Sequence, residues 1–178
     1  MMEEIDLKSK IRTVPHFPKK GVMFKDITTL LQDADAFRYA INKMLEYFKG
    51  KKIDKVVSAE SRGFIFGSVL AHELHAGFVP LRKPGKLPYR TIREEFETEY
   101  SKDAFEIHED TIEKGESVLI VDDLLATGGT MEAAVKLVKR LGGNVVGIAI
   151  LIELGFLKGR ERLKDYDVFT LVNYEKEE

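Results

Sequence analysis

Residues 118–130 read Val-Leu-Ile-Val-Asp-Asp-Leu-Leu-Ala-Thr-Gly-Gly-Thr. An apolar run leads into two adjacent acids, then into small residues that precede a helical pattern. These types at this spacing suit a phosphorylated sugar. Ala126, Thr127, Gly128, Gly129 and Thr130 offer unobstructed N–H groups and two hydroxyls at a helix N-terminus, where the helix dipole favours an anion. The glycines let a phosphate oxygen approach the main chain. Asp122 and Asp123 are expected at the carboxyl edge of a strand, where open α/β sheets take their ligands. Carboxylates there accept hydrogen bonds from sugar hydroxyls or help to hold a metal. Two adjacent acids alone would suit a solvated strand end; the whole block is far more specific. Neither G-x-x-x-x-G-K-[ST] nor G-x-G-x-x-G is present.

Two further segments carry anion chemistry. Glu60-Ser61-Arg62-Gly63 joins a strand-like run to a helix-like one. Its hydroxyl, guanidinium and N–H groups suit a diphosphate, and equally a helix cap beside a solvated arginine. Downstream, Arg82, Lys83, Lys86, Arg90 and Arg93 precede the first acid of their segment, Glu94. A charge run is usually a solvated face, yet five cations on a loop can close over a dense anion. Zinc chemistry is not signalled. His72-Glu73-Leu74-His75 puts Ala76 where H-E-x-x-H needs its second histidine, and His16 and His108 have no ligand-spaced partner.

The elements that must position these residues alternate strand and helix. Apolar runs predict strands over 55–59, 78–81, 117–122, 145–152 and 167–172. Helical periodicity covers 36–49, capped by Asp33 or Asp35 and stopped by Gly50, then 63–76 and 130–141. The pattern predicts one α/β domain over 1–178 with a mostly parallel five-stranded sheet, its apolar strands covered on both faces. Residues 1–35 and a charged insertion over 82–114 fall outside the alternation. Within the insertion, 96–100 and 104–108 are expected to pair as a hairpin across 101–103.

Composition sets the bounds. The chain has 178 residues, no cysteine, 33% charged residues and a formal charge of −2. One core of this size needs no disulfide staples, and a cysteine-free chain points to the cytoplasm. The N-terminal residues lack the apolar centre of a signal peptide, and no stretch is long enough for a membrane span. The near-neutral balance counts against nucleic acid as a partner.

The block at 118–130 resembles the phosphoribosyl-diphosphate (PRPP) signature of type I phosphoribosyltransferases. Four other segments resemble the branch of that family that acts on adenine: 17–27, 60–67, 82–88, and Glu153-Leu154 followed by 157–160. The resemblance implies the type I fold, with an N-terminal hood that reads the base and a flexible catalytic loop. It implies transfer of the phosphoribosyl group from PRPP to adenine, giving AMP and diphosphate. It also implies Mg2+ carried mainly by the substrate, with no dedicated protein metal site, and a homodimer. Residues 126–130 would then hold the 5′-phosphate, and Asp122 and Asp123 the ribose hydroxyls. Glu60, Ser61 and Arg62 would hold the diphosphate, through a loop that in the family often contains a cis peptide, together with Arg82, Lys83 and Lys86. Met23, Phe24, Lys25 and Leu154 would hold adenine, with Phe24 stacked on it. Lys25 stands where many relatives carry arginine, so its side-chain role is open. Glu99 would be the acid/base at the purine. Two alternatives stand beside this: an enzyme for another purine, and a PRPP-sensing regulator without catalysis.

Overall fold

The computed structural model describes residues 4–98 and 101–178. Strands β1 (Arg12–Pro15) and β2 (Met23–Asp26) pair as an antiparallel hairpin, with Arg12 opposite Asp26 and Pro15 opposite Met23. Short helix α1 (Thr28–Gln32) and helix α2 (Ala34–Tyr47) follow. Asp33, not Asp35, caps α2: its Oδ1 accepts from the N–H groups of Asp35 and Ala36, both at 3.1 Å. Such a cap contributes about 1 kcal/mol and starts the helix two positions before the periodicity suggested.

The alternation then runs as expected. β3 (Lys55–Ala59) leads to α3 (Gly63–Glu73) and β4 (Gly77–Leu81). The insertion holds β5 (Thr91–Glu97) and β6 (Lys102–His108), a longer hairpin than the sequence suggested, with Thr91 opposite His108. β7 (Ser117–Leu125), α4 (Gly129–Arg140), β8 (Asn144–Leu154) and β9 (Val168–Tyr174) complete the chain.

Five strands form one sheet in the order β4-β3-β7-β8-β9, and every pairing in it is parallel. The chain moves outward from β3 to β4, then returns to the other side of β3 with β7. The order therefore reverses between β3 and β7. At such a switch point the loops leaving the two strand ends diverge to opposite faces and open a crevice.

Both faces of the sheet are covered. On one face, Leu30, Met44, Phe48, Phe66 and Leu70 from the helices meet Val56, Leu119 and Leu151. On the other, Met131, Leu137 and Val138 of α4 meet Val57, Ile120 and Ile150. Burial of one such large apolar side chain stabilises the fold by about 1.5–3 kcal/mol. The β5–β6 hairpin joins this second cluster through Phe96, Phe105 and Ile107, and Arg140 Nη1 donates to the Arg93 carbonyl at 2.7 Å. The stem of the hairpin is thus packed on α4, and its tip reaches the switch-point crevice. Glu99 and Tyr100 fall outside the described residues.

Candidate functional site

A cavity of about 650 Å³ opens at the switch point. Its floor is the carboxyl ends of β3 and β7, and its walls are β2, the hairpin tip and the segment after β8.

The phosphate-type loop lies where β7 gives way to α4. The cavity is lined by Ala126, Thr127, Gly128 and Thr130; Gly129 sits behind, where a Cβ would lie 2.5 Å from the Glu97 carbonyl oxygen. Gly128 is the N-cap of α4, left-handed at φ 86, and no side chain caps the helix there. An N-terminus without a side-chain cap leaves N–H donors for an anion.

Asp122 and Asp123 do not end the strand as expected. β7 continues to Leu125, pairing Asp122 with Ile150 and Leu124 with Ile152 of β8. Both acids are therefore largely buried, at 9% and 7% exposure. Asp123 N–H donates to Asp122 Oδ1 at 2.8 Å, and Arg62 Nε donates to Asp123 Oδ2 at 2.6 Å. Burial, with the Asp123 charge added, pushes the Asp122 carboxyl well above the usual carboxylate range. Gly63 allows α3 to start this close to β7, since a Cβ there would lie 2.7 Å from Asp122 Oδ1.

The cationic set gathers around Glu60, which precedes a cis peptide to Ser61. Glu60 accepts from the Lys83 N–H at 2.6 Å and from Lys86 Nζ at 2.8 Å, and Arg82 Nε lies 3.4 Å from it. Burial would raise the Glu60 carboxyl, but the Lys86 and Lys83 hydrogen bonds outweigh it and leave the pKa lowered. Glu60, Ser61, Arg62 and Lys83 line the cavity; Arg82 and Lys86 stand behind Glu60. Arg82 Nε is buried without a hydrogen-bond partner. Lys83 Nζ pairs with Asp103 at 2.7 Å.

Met23, Phe24, Lys25 and Leu154 all border the same cavity. The Arg62 guanidinium lies over the Phe24 ring, 5.2 Å from its centroid, and Phe17 meets that ring edge-on at 5.1 Å. The Lys25 ammonium is committed elsewhere. It donates to Thr13 Oγ1 at 3.0 Å and to the Glu178 carbonyl, and lies 4.1 Å from the Tyr174 ring centroid. Burial lowers its pKa.

Sequence reasoning gave no role to Asp103 or Leu157, which also line the cavity. Leu157 opens the 157–160 segment that resembles the adenine branch, so its signal lies in the sequence. Asp103 sits opposite Phe96 across the hairpin, and its pairing with Lys83 depends on a register that charge spacing does not reveal.

The family model for the phosphoribosyl transferase domain matches residues 24–177. The adenine phosphoribosyltransferase of Acidobacterium capsulatum is 59% identical over 168 residues, 94% of this chain and 93% of that protein. The crystal structure of adenine phosphoribosyltransferase from Thermoanaerobacter pseudethanolicus superposes with a TM-score of 0.91 at 51% identity, covering 95% of this chain and 98% of the other. The Saccharomyces cerevisiae enzyme, crystallised with adenine and an imino-altritol bisphosphate, gives a TM-score of 0.86 at 42% identity, with coverage of 93% and 96%. The chain belongs to the phosphoribosyl transferase family and, within it, to the adenine phosphoribosyltransferases.

Proposed function

We propose that this protein transfers the 5-phosphoribosyl group of PRPP to adenine, giving AMP and diphosphate, a step of purine salvage. The observation that carries this is the uncapped start of α4 at Gly128, set beside the buried Asp122–Asp123 pair at the switch point.

In this scheme the N–H groups and hydroxyls of 126–130 take the 5′-phosphate, and Asp122 and Asp123 accept from the ribose hydroxyls. Arg62, Arg82, Lys83 and Lys86 exchange their carboxylate partners for the diphosphate of PRPP. Adenine enters against Phe24 and Leu154. The N9–C1′ bond forms as the C1′–O bond breaks, and the leaving oxygen keeps the electron pair. Glu99 takes the proton released at N7. The fixed cations stabilise the charge that develops on the diphosphate. The hairpin tip, closing over the site, keeps water from the reactive C1′.

Among the described residues no group of three or more His, Asp or Glu side chains forms a metal cage. Asp122 and Asp123, standing where ribose hydroxyls are expected, are a donor set that suits Mg2+ held chiefly by substrate oxygens and water. When bound, Mg2+ would supply charge neutralisation on the diphosphate.

A homodimer in the cytoplasm fits two further features. Phe64 of α3 meets Phe78 of β4 edge-on at 5.5 Å on the surface, and Phe78 is 37% exposed. A second copy covering that patch would remove it from water. A chain without cysteine is at home in a reducing compartment.

The test is a Mg2+-dependent assay with PRPP and adenine, guanine, hypoxanthine and xanthine in competition. AMP is the expected product. A preference for another base would reassign the substrate, and PRPP binding without turnover on any base would support the regulator.

A further inference from the structure

The phosphate-type loop rests on a second stretch of bare backbone. A Cβ at Gly159 would lie 2.2 Å from the Ala126 carbonyl oxygen and 2.8 Å from the Gly128 nitrogen. A Cβ at Gly128 would lie 2.5 Å from the Gly159 carbonyl oxygen. Two main chains meet there with no side chain between them, so the direction of the loop's N–H groups depends on where Gly159 is held.

The residue beside it does the holding. Arg160 Nε and Nη2 donate to the two oxygens of Glu153 at 2.9 and 2.5 Å. Its Nη1 donates to the Val168 carbonyl at 2.7 Å, and Thr170 Oγ1 donates to Glu153 Oε2 at 3.0 Å. Glu153 is 7% exposed and belongs to β8, while Val168 and Thr170 belong to β9. On the other side, Arg162 Nη1 donates to Glu132 Oε2 at 3.0 Å, reaching the first turn of α4. The short turn Gly159–Leu163 is thus tied to the sheet by one arginine and to α4 by another. A bidentate fork fixes orientation as well as distance, which an apolar contact of the same size would not.

We infer that the Glu153–Arg160 pair is a positioning device for the 5′-phosphate cradle: it sets Gly159 against residues 126–128 and so aims their N–H groups. Neither side chain lines the cavity, so both act through Gly159. The inference rests on the proposed phosphate role of 126–130. It makes a separable claim, because the diphosphate subsite at Glu60–Arg62 has no contact with this pair among the hydrogen bonds and ion pairs of Glu153 and Arg160.

The experiment is calorimetric titration of wild type, Arg160→Met, Arg160→Lys and Glu153→Gln with ribose 5-phosphate and, separately, with inorganic diphosphate, beside melting curves. Arg160→Met should weaken ribose 5-phosphate about ten-fold or more, the scale of a lost charge-assisted hydrogen bond, and leave diphosphate affinity within about two-fold. Arg160→Lys, which keeps the charge without the fork, should fall between it and wild type. Glu153→Gln preserves shape and serves if Arg160→Met does not fold. Unchanged ribose 5-phosphate affinity in a folded variant overturns the positioning role. Equal losses for both ligands with a lowered Tm also overturn it, as general destabilisation. A wild type that fails to bind ribose 5-phosphate overturns the site reading itself, and the inference with it.

Discussion

Arg62 Nε donates to Asp123 Oδ2 at 2.6 Å and so ties the loop after β3 to the end of β7 across the point where the strand order reverses. The same guanidinium lies over Phe24. One side chain therefore joins the expected diphosphate, ribose and base subsites. On the proposed assignment, ribose hydroxyls at Asp123 would compete with Arg62, and a diphosphate would offer Arg62 a new partner.

Asp122 should be a case of function held at a cost in stability. Its raised carboxyl pKa comes from burial first and from Asp123 second. The native state keeps this proton to higher pH than the unfolded chain does. The contribution to stability is therefore fully present below the unfolded value, about 3.9, and is lost as pH rises through the folded value. Asp122→Asn should raise Tm at pH 7, by about 2–4 °C per kcal/mol recovered in a chain of this size, and the gain should vanish near pH 4. The same variant should bind PRPP more weakly. Melting curves at both pH values, with PRPP titration, check it; an equal Tm shift at both would contradict it.

Gly128→Ala should be damaging twice over. Its φ of 86 is left-handed, and the added carbon would sit 2.5 Å from the Gly159 carbonyl oxygen. Left-handed geometry alone costs a non-glycine residue about 1–3 kcal/mol. Denaturant unfolding should show at least that loss, and AMP affinity should fall. A stable variant with normal AMP affinity would mean that the loop can move aside.

Lys83 and Asp103 should have opposite effects on diphosphate. Their 2.7 Å pair must open before Lys83 reaches an anion. A half-exposed pair of this kind is worth about 0.2–1 kcal/mol. Asp103→Asn should therefore tighten diphosphate binding by up to about five-fold, and Lys83→Ala should loosen it, both less so at high salt. Binding isotherms at two ionic strengths decide the matter. Tighter binding in Lys83→Ala would remove Lys83 from the diphosphate site.

Glu99→Gln should lower the chemical rate by about 10²–10⁴-fold, the loss typical of an acid/base group. Single-turnover mixing of enzyme, PRPP and adenine measures that step apart from product release. An unchanged single-turnover rate would take Glu99 out of proton transfer.

The sheet was legible in the sequence because its strands are buried on both faces. The run at 55–59 matches β3 residue for residue, and each remaining core strand was found with displaced ends. The β7 boundary was misplaced because two acids usually mark a strand's exit to water; here the ladder with β8 carries them onward. The β1–β2 hairpin was not legible. Its four-residue strands are mostly half-exposed and show no apolar alternation, and their antiparallel pairing with each other defines them. The gathering of 122–130 at the sheet's carboxyl edge could be read from residue type alone, whereas the pairing of Lys83 with Asp103 and of Lys25 with Thr13 required the fold.

The most direct test is a crystal structure with AMP bound. The expected result is a 5′-phosphate within hydrogen-bond distance of the N–H groups of 126–130, with ribose hydroxyls on Asp122 and Asp123 and the purine against Phe24. A nucleotide whose phosphate docks away from the start of α4 would contradict the assignment of this cavity.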